Sequence, residues 1–188
     1  MRENKTNKKF IYLISPNKIK DENFYTNLAH ILNLEKVSFF QLRLKKETSQ
    51  NKLIIGKKIK KICKKYKVKF LINDDPLLAK KLNADGCHLG QKDMNLIKAR
   101  KILKNKIIGV TCHNSISLAK NAVENGADYL AFGAFYPSKT KIVKYRATLR
   151  ILKSVKKITS LPIVAIGGIK LNNYKKLLLN KANFLAIS

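Results

Sequence analysis

Short β-branched runs alternate with longer segments of helical period along this chain, and that alternation constrains its fold more than any other feature. Strands are expected at 10–15, 37–43, 68–73, 86–89, 107–111, 128–133, 162–166 and 183–187, with helices near 22–34, 49–66, 76–83, 95–104, 115–125, 145–158 and 171–180. Strands separated by helices of this length pair in parallel through right-handed crossovers. Local chemistry marks the helix ends. Asp75 is a good N-cap and Pro76 suits a first helical turn. Asn114-Ser115 can cap the helix carrying Ile116, Leu118, Ala119, Ala122 and Val123, and Gly126 suits a left-handed stop. Asn83-Ala84-Asp85-Gly86, Gly126-Ala127-Asp128-Tyr129 and Lys181-Ala182-Asn183-Phe184 share one plan: each closes a helix and enters a strand. One βα unit reused this way gives about eight strands, the count of a (β/α)8 TIM barrel, as a single domain over residues 1–188. The competing architecture is a doubly wound open sheet, but no Gly-x-Gly-x-x-Gly follows the first strand. The chain stops at Ser188, directly after the eighth strand, so the last helix is expected to be lacking. Either the sequence is a fragment, or another surface, such as a second copy in a homo-oligomer, covers the seam between the last and first strands.

Composition narrows the function classes. A chain of 188 residues with 45% hydrophobic residues and dispersed charge builds a core and is not disordered. No apolar run approaches the roughly 20 residues of a membrane span. Phe10-Ile11-Tyr12-Leu13-Ile14 is shorter than the roughly 7–15-residue apolar region of a signal peptide, and it reads as the first strand. Three cysteines, Cys63, Cys87 and Cys112, without Cys-x-x-Cys spacing, fit reduced thiols in a cytoplasm better than a disulfide framework. The formal charge of +29 invites a nucleic-acid reading. Lysine, however, is spread over every expected helix and loop, and no recognition motif accompanies it, so nucleic acid is not the expected partner. The field favours polyanionic small substrates, most strongly at low salt.

The strand ends carry the chemistry, as barrel enzymes require. Gln41, Arg43 and Lys45 sit at i, i+2 and i+4, which puts an amide, a guanidinium fork and an ammonium on one face of a strand. The bland reading of that pattern is the wet face of a half-exposed strand, which a helix-covered parallel barrel weakens. Asn73-Asp74 and Asp93 are the acidic candidates, and carboxylates joined by phosphate oxygens and water suit octahedral Mg2+. Asp75 is set aside as a helix cap, and Asp93 has a competing role as a cap for the helix beginning near Asn95. Gly109-Val110-Thr111 and Ser138-Lys139-Thr140-Lys141 offer hydroxyl, N–H and ammonium donors to phosphates. Gly167-Gly168 permits close backbone approach to a ligand, or serves only as a tight turn. Ser188 ends the eighth strand, a region where barrels commonly bind phosphate. Cys87-His88 and Cys112-His113 are poor zinc candidates, because adjacent strand residues face opposite ways; His88 is expected to be packed and hydrogen-bonded.

Taken in order, these strings resemble the thiamine phosphate synthase family. Gln41-Leu42-Arg43-Leu44-Lys45 is similar to its Gln-x-Arg-x-Lys, and Asn73-Asp74 to its Asn-Asp. Asp85-Gly86-Cys87-His88-Leu89-Gly90-Gln91-Lys92-Asp93 resembles Asp-Gly-Val-His-Leu-Gly-Gln-x-Asp. Gly109-Val110-Thr111-Cys112-His113 stands where Gly-x-Ser-x-His is usual, and Tyr136-Pro137-Ser138-Lys139-Thr140-Lys141 where Phe-Pro-Thr-x-Thr-Lys is. Pro162 to Ile169 completes the set. The resemblance implies a Mg2+-dependent transferase that joins hydroxymethylpyrimidine diphosphate to a thiazole phosphate and releases pyrophosphate. It implies that Gln41, Arg43, Lys45, Asn73, Thr111 and Lys141 hold the pyrimidine diphosphate, with Arg43, Lys45 and Lys141 stabilising the leaving charge. Asp74 and Asp93 would hold Mg2+, while Ser138, Thr140, Gly168, Ile187 and Ser188 would hold the thiazole phosphate. The reaction implied is dissociative, through a pyrimidinyl-methyl cation. Thr111 and Ser138 depart from the usual Ser and Thr, and the methyl of Thr111 crowds the pocket. Two other readings compete: a thiazole tautomerase on a similar barrel, and a phosphate- or nucleic-acid-binding homologue without activity.

Overall fold

The computed structural model describes residues 9–137 and 144–188. The elements run β1 (Ile11–Ile14), α1 (Asn23–Asn33), β2 (Val37–Leu42), α2 (Ser49–Lys65), β3 (Lys69–Asn73), α3 (Pro76–Lys81), β4 (Gly86–Leu89) and α4 (Leu96–Leu103). They continue β5 (Ile107–His113), α5 (Ile116–Glu124), β6 (Tyr129–Gly133), α6 (Leu149–Val155), β7 (Ile163–Ile166), α7 (Tyr174–Leu179) and β8 (Phe184–Ile187). The strands close into a barrel in sequence order, β8 pairing in parallel with β1 through Leu13↔Ile187. This is the expected (β/α)8 arrangement, and among the described residues no helix follows β8.

Alternation along each strand sorts side chains into two layers. Inward positions Tyr12, Ile14, Leu71, Tyr129, Ala131, Val164 and Ala186 fill the barrel, with Phe39, Ile107, Ile166 and Phe184 packed on them. Outward positions bury against the helices in two groups. Phe40, Leu42, Phe70, Ile72, Cys87 and Ile108 meet α1 to α4, whereas Val110, Cys112, Phe132, Ile163, Ala165 and Leu185 meet α5 to α7. Burial of each such large aliphatic side chain contributes roughly 1.5–3 kcal/mol. Gly109 has an inward position where a Cβ would lie 1.8 Å from Cζ of Tyr129, so any other residue there would displace that ring.

The helix starts follow the capping chemistry. Asp75 accepts from the N–H of Leu78 at 2.9 Å, and Ser115 from that of Leu118 at 3.2 Å. Gly126 has φ +85, the left-handed stop expected of it. Two helices begin later than their periodicity suggests. Residues 145–147 bond back to Ala134 (Ala134 N–H to Tyr145 O, Ala147 N–H to Ala134 O), so α6 opens only at Leu149. Ahead of α7, the Asn173 side chain accepts from the N–H of Lys170 at 2.8 Å, a local turn that competes with the helix. No helix among the described residues is long and apolar enough to cross a membrane.

Candidate active site

The site forms where β2, β3 and β4 emerge. β2 ends at Leu42, so Arg43 and Lys45 stand on the following loop rather than on the strand itself. The alternation nevertheless persists past the strand end: Leu44 is buried while Arg43 is half-buried and Lys45 exposed. The segment after β1 pins Arg43. Its N–H donates to Ser15 Oγ at 2.8 Å, its Nη1 donates to Asn17 Oδ1, and Ser15 N–H donates to the Gln41 carbonyl at 2.9 Å. Burial draws the Arg43 pKa down, and the nearby Asp74 carboxylate opposes that shift.

Asp74 leaves β3 in a left-handed conformation, φ +64, with its N–H donating to the His88 carbonyl at 2.8 Å. Asp tolerates that conformation better than most residues. Because Asp75 takes the capping role, the Asp74 carboxylate is turned to the site, where Lys45 Nζ lies 3.3 Å from Oδ2. Lys45, Asn73, Asp74 and Lys52 of α2 line one cleft. Asp93 is not the cap of α4: Asn95 accepts from the N–H of Ile97 at 2.9 Å and fills that role. Asp93 instead folds back to accept from Gly90 N–H at 2.6 Å, an approach that a side chain at residue 90 would crowd. Burial raises the Asp93 pKa, a hydrogen bond and charge from Asp74 raise it further, and the Gly90 N–H and Lys45 pull the other way.

Two carboxylates forced together, one partly desolvated, are a hard-oxygen donor pair that a small dication would relieve. No cluster of three or more His, Cys, Asp or Glu suited to a metal exists among the described residues. The Asp74 and Asp93 pair is itself a donor set that Mg2+ can use, since that ion takes one or two carboxylates and completes its shell with substrate phosphates and water.

Beneath the rim, polar groups continue into the barrel. Gln41, only 3% exposed, donates from Nε2 to the Tyr12 hydroxyl at 2.8 Å. The Tyr12 and Tyr129 hydroxyls are 2.7 Å apart, and the Tyr129 hydroxyl is 2.8 Å from His88 Nδ1. His88 Nε2 then meets Thr111 Oγ1 at 2.9 Å. Burial pushes His88 down to about 4, so the ring is neutral near pH 7, and it raises both tyrosines. His88 is packed and hydrogen-bonded, as its position on β4 suggests. Cys87 points the other way, into the outer layer, and Cys63, Cys87 and Cys112 are all buried thiols whose pKa values burial raises.

The structure therefore gathers Arg43, Lys45, Asn73, Asp74 and Asp93 at one rim and links Gln41 to Thr111 below it. Gly168, Ile187 and Ser188 sit at the same barrel end, after or on β7 and β8, with no described contact to the carboxylate pair. Gly168 has φ +61, and a Cβ there would lie 2.2 Å from the Pro137 carbonyl, so the neighbouring loop explains this glycine without a ligand. Ser138, Thr140 and Lys141 lie outside the described residues. Ser15, Asn17 and Tyr12 are site neighbours outside the motifs, whereas Tyr129, and Gln91, whose amide donates to the Thr111 carbonyl, lie within motif strings that gave them no role. Strand parity is the signal that marks the tyrosines: Tyr12 and Tyr129 are polar-tipped residues at inward positions of apolar strands.

Comparison with known proteins adds the family. The family model described as thiamine monophosphate synthase matches residues 11–188. The chain is 83% identical over 188 residues, 100% of its own length and 91% of the relative's, to a thiamine-phosphate synthase of Pelagibacter ubique (strain HTCC1062). It is 40% identical over 179 residues, covering 95% of this chain and 84% of the relative, to a thiamine-phosphate synthase of Nitrosomonas eutropha. Among solved structures it is similar to a thiamine phosphate pyrophosphorylase from Pyrococcus furiosus, with TM-score 0.81 and 28% identity over 96% of this chain and 86% of that one.

Proposed function

The chain belongs to the thiamine monophosphate synthase family and is a transferase, and we propose that the rim built by β2, β3 and β4 is where it makes thiamine phosphate. The likenesses lend no support to a thiazole tautomerase or to a binding homologue without activity. The observation that carries the placement is the convergence around one point of three separate segments of the chain, carrying Arg43 and Lys45, Asp74, and Asp93.

In this reading hydroxymethylpyrimidine diphosphate binds with its ring toward Gln41 and its phosphates toward Arg43, Lys45, Asn73 and Thr111. Asp74 and Asp93 hold Mg2+, which when bound offsets negative charge on the diphosphate. The bond between the pyrimidine's methylene carbon and the diphosphate oxygen breaks, and pyrophosphate leaves with the electron pair. Arg43, held by Asn17 and Ser15, and Lys45, held by Asp74, are preorganised for that developing charge. Lys141 is the third cation assigned to the same task. The thiazole nitrogen lone pair then forms the new C–N bond, with the thiazole phosphate on Ser138, Thr140, Gly168, Ile187 and Ser188. No protein nucleophile is needed, which agrees with three buried thiols of raised pKa. The aromatic floor of Tyr12, Phe39 and Tyr129 excludes water that would otherwise capture the cation. We place the reaction in the cytoplasm because the described cysteines are free thiols.

The test is a coupled assay on purified protein. Pyrophosphate release should require Mg2+ and both substrates together, and Asp93→Ala should abolish it while the circular dichroism spectrum is kept. Full turnover by Asp93→Ala would refute the metal assignment.

A further inference from the structure

The polar path through the barrel has a direction, and that direction follows from counting hydrogens. The Gln41 amide nitrogen carries only hydrogens, so at 2.8 Å it donates and the Tyr12 oxygen accepts. Tyr12 has one hydrogen left to place and one remaining partner, the Tyr129 oxygen at 2.7 Å. Tyr129 in turn spends its hydrogen on His88 Nδ1 at 2.8 Å, which must present a bare lone pair. A neutral imidazole with bare Nδ1 carries its hydrogen on Nε2, and this hydrogen points at Thr111 Oγ1, 2.9 Å away. The Thr111 hydroxyl hydrogen is then free to leave the chain. Reversing one step alone leaves a buried hydroxyl hydrogen without a partner; turning the whole path round without that loss requires turning the Gln41 amide.

Both ends of this path are residues to which the preceding section gives the pyrimidine diphosphate, and the inference rests on that placement. With Nε2 committed inward, Gln41 has its Oε1 to offer, and no described residue donates to that atom. Oε1 offers lone pairs only, and the outward Thr111 hydroxyl offers a hydrogen. The substrate's ring amino group offers hydrogens, and its diphosphate oxygens offer lone pairs. The opposite polarity would set N–H against amino group and lone pair against phosphate. We propose that Tyr12, Tyr129 and His88 are positioning residues that fix this polarity, holding Gln41 as an acceptor and Thr111 as a donor, and so select an aminopyrimidine over its oxo counterpart. The glycine at residue 109 belongs to the same device, since it vacates the space that the Tyr129 ring needs.

A purely packing role would leave the two hydroxyls dispensable, with Phe39 beside them showing that an apolar ring fits this layer. The direct test needs no variant: 15N NMR of the full chain labelled at histidine, with the His88 signals identified by their loss in His88→Asn. His88 should be the Nε2–H tautomer; an Nδ1–H tautomer overturns the polarity. The kinetic test is Tyr129→Phe, which removes one oxygen and interrupts the path. It should lower kcat/KM for the pyrimidine diphosphate roughly tenfold or more. KM for the thiazole phosphate should stay unchanged, and the preference for the amino over the oxo substrate should shrink. An unchanged preference, or an equal loss toward both substrates, would reduce the tyrosines to packing and end the proposal. Wild-type kinetics in Gln41→Leu, beside an Nε2–H tautomer, would show the path to be real but the substrate placement wrong.

Discussion

Asp93 is the residue where structure and chemistry pull hardest against each other. Its carboxyl is raised because burial and the Asp74 carboxylate both disfavour its charge. The folded state therefore binds that proton more tightly than the unfolded chain does. Its contribution is most favourable below the ordinary carboxylate pKa and is lost as pH rises through the raised value. At neutral pH without metal, Asp93→Asn should melt a few degrees higher than the parent chain. Added Mg2+ should raise the parent's melting temperature and leave the variant's unmoved, as read by calorimetry; equal responses would break the link between this carboxylate and the metal. At this scale the sequence was informative where roles are set by neighbours in the chain. Asp75 beside Pro76 reads as a cap, which frees Asp74. It was silent where partners come from other strands: nothing local to Ser15 or Asn17 says that Arg43 will rest on them.

Strand β5 shows what an element contributes. It carries Gly109 and Thr111 inward, and Ile108, Val110 and Cys112 outward. Gly109→Ala would drive a methyl into the Tyr129 ring, and overpacking of this kind costs about 2–3 kcal/mol. Urea unfolding should show that loss, with a fall in kcat/KM for the pyrimidine diphosphate as the ring is displaced; an unchanged midpoint would mean that the ring moves freely. Element positions were legible because alternation and capping residues are local. The late starts of α6 and α7 were not, since each depends on a competing bond, from Ala134 to residues 145–147 and from Asn173 to Lys170.

For the whole molecule, eight parallel strands follow from the repeated βα spacing, and the closure of β8 on β1 follows from their number. The charge of +29 acts at this scale as well. It repels itself and draws in anions, and both effects are screened by salt. Raising sodium chloride should increase the melting temperature while KM for the diphosphate substrate climbs severalfold, measured on the same preparation. A salt-independent KM would confine the useful charge to Arg43 and Lys45.

The outer layer divides along β5, with Ile108 packed on one side and Val110 on the other. The pocket is divided by the same line: Arg43, Asp74 and Asp93 belong to the first half, while Tyr129 and the residues of β7 and β8 belong to the second. A nascent chain with only its first half in place would own the carboxylate pair and Arg43 but an unfinished floor, since Tyr12 and Phe39 lie on β1 and β2 and Tyr129 waits on β6. The shelter over the reacting fragment is thus complete only when β6 to β8 close the barrel onto β1.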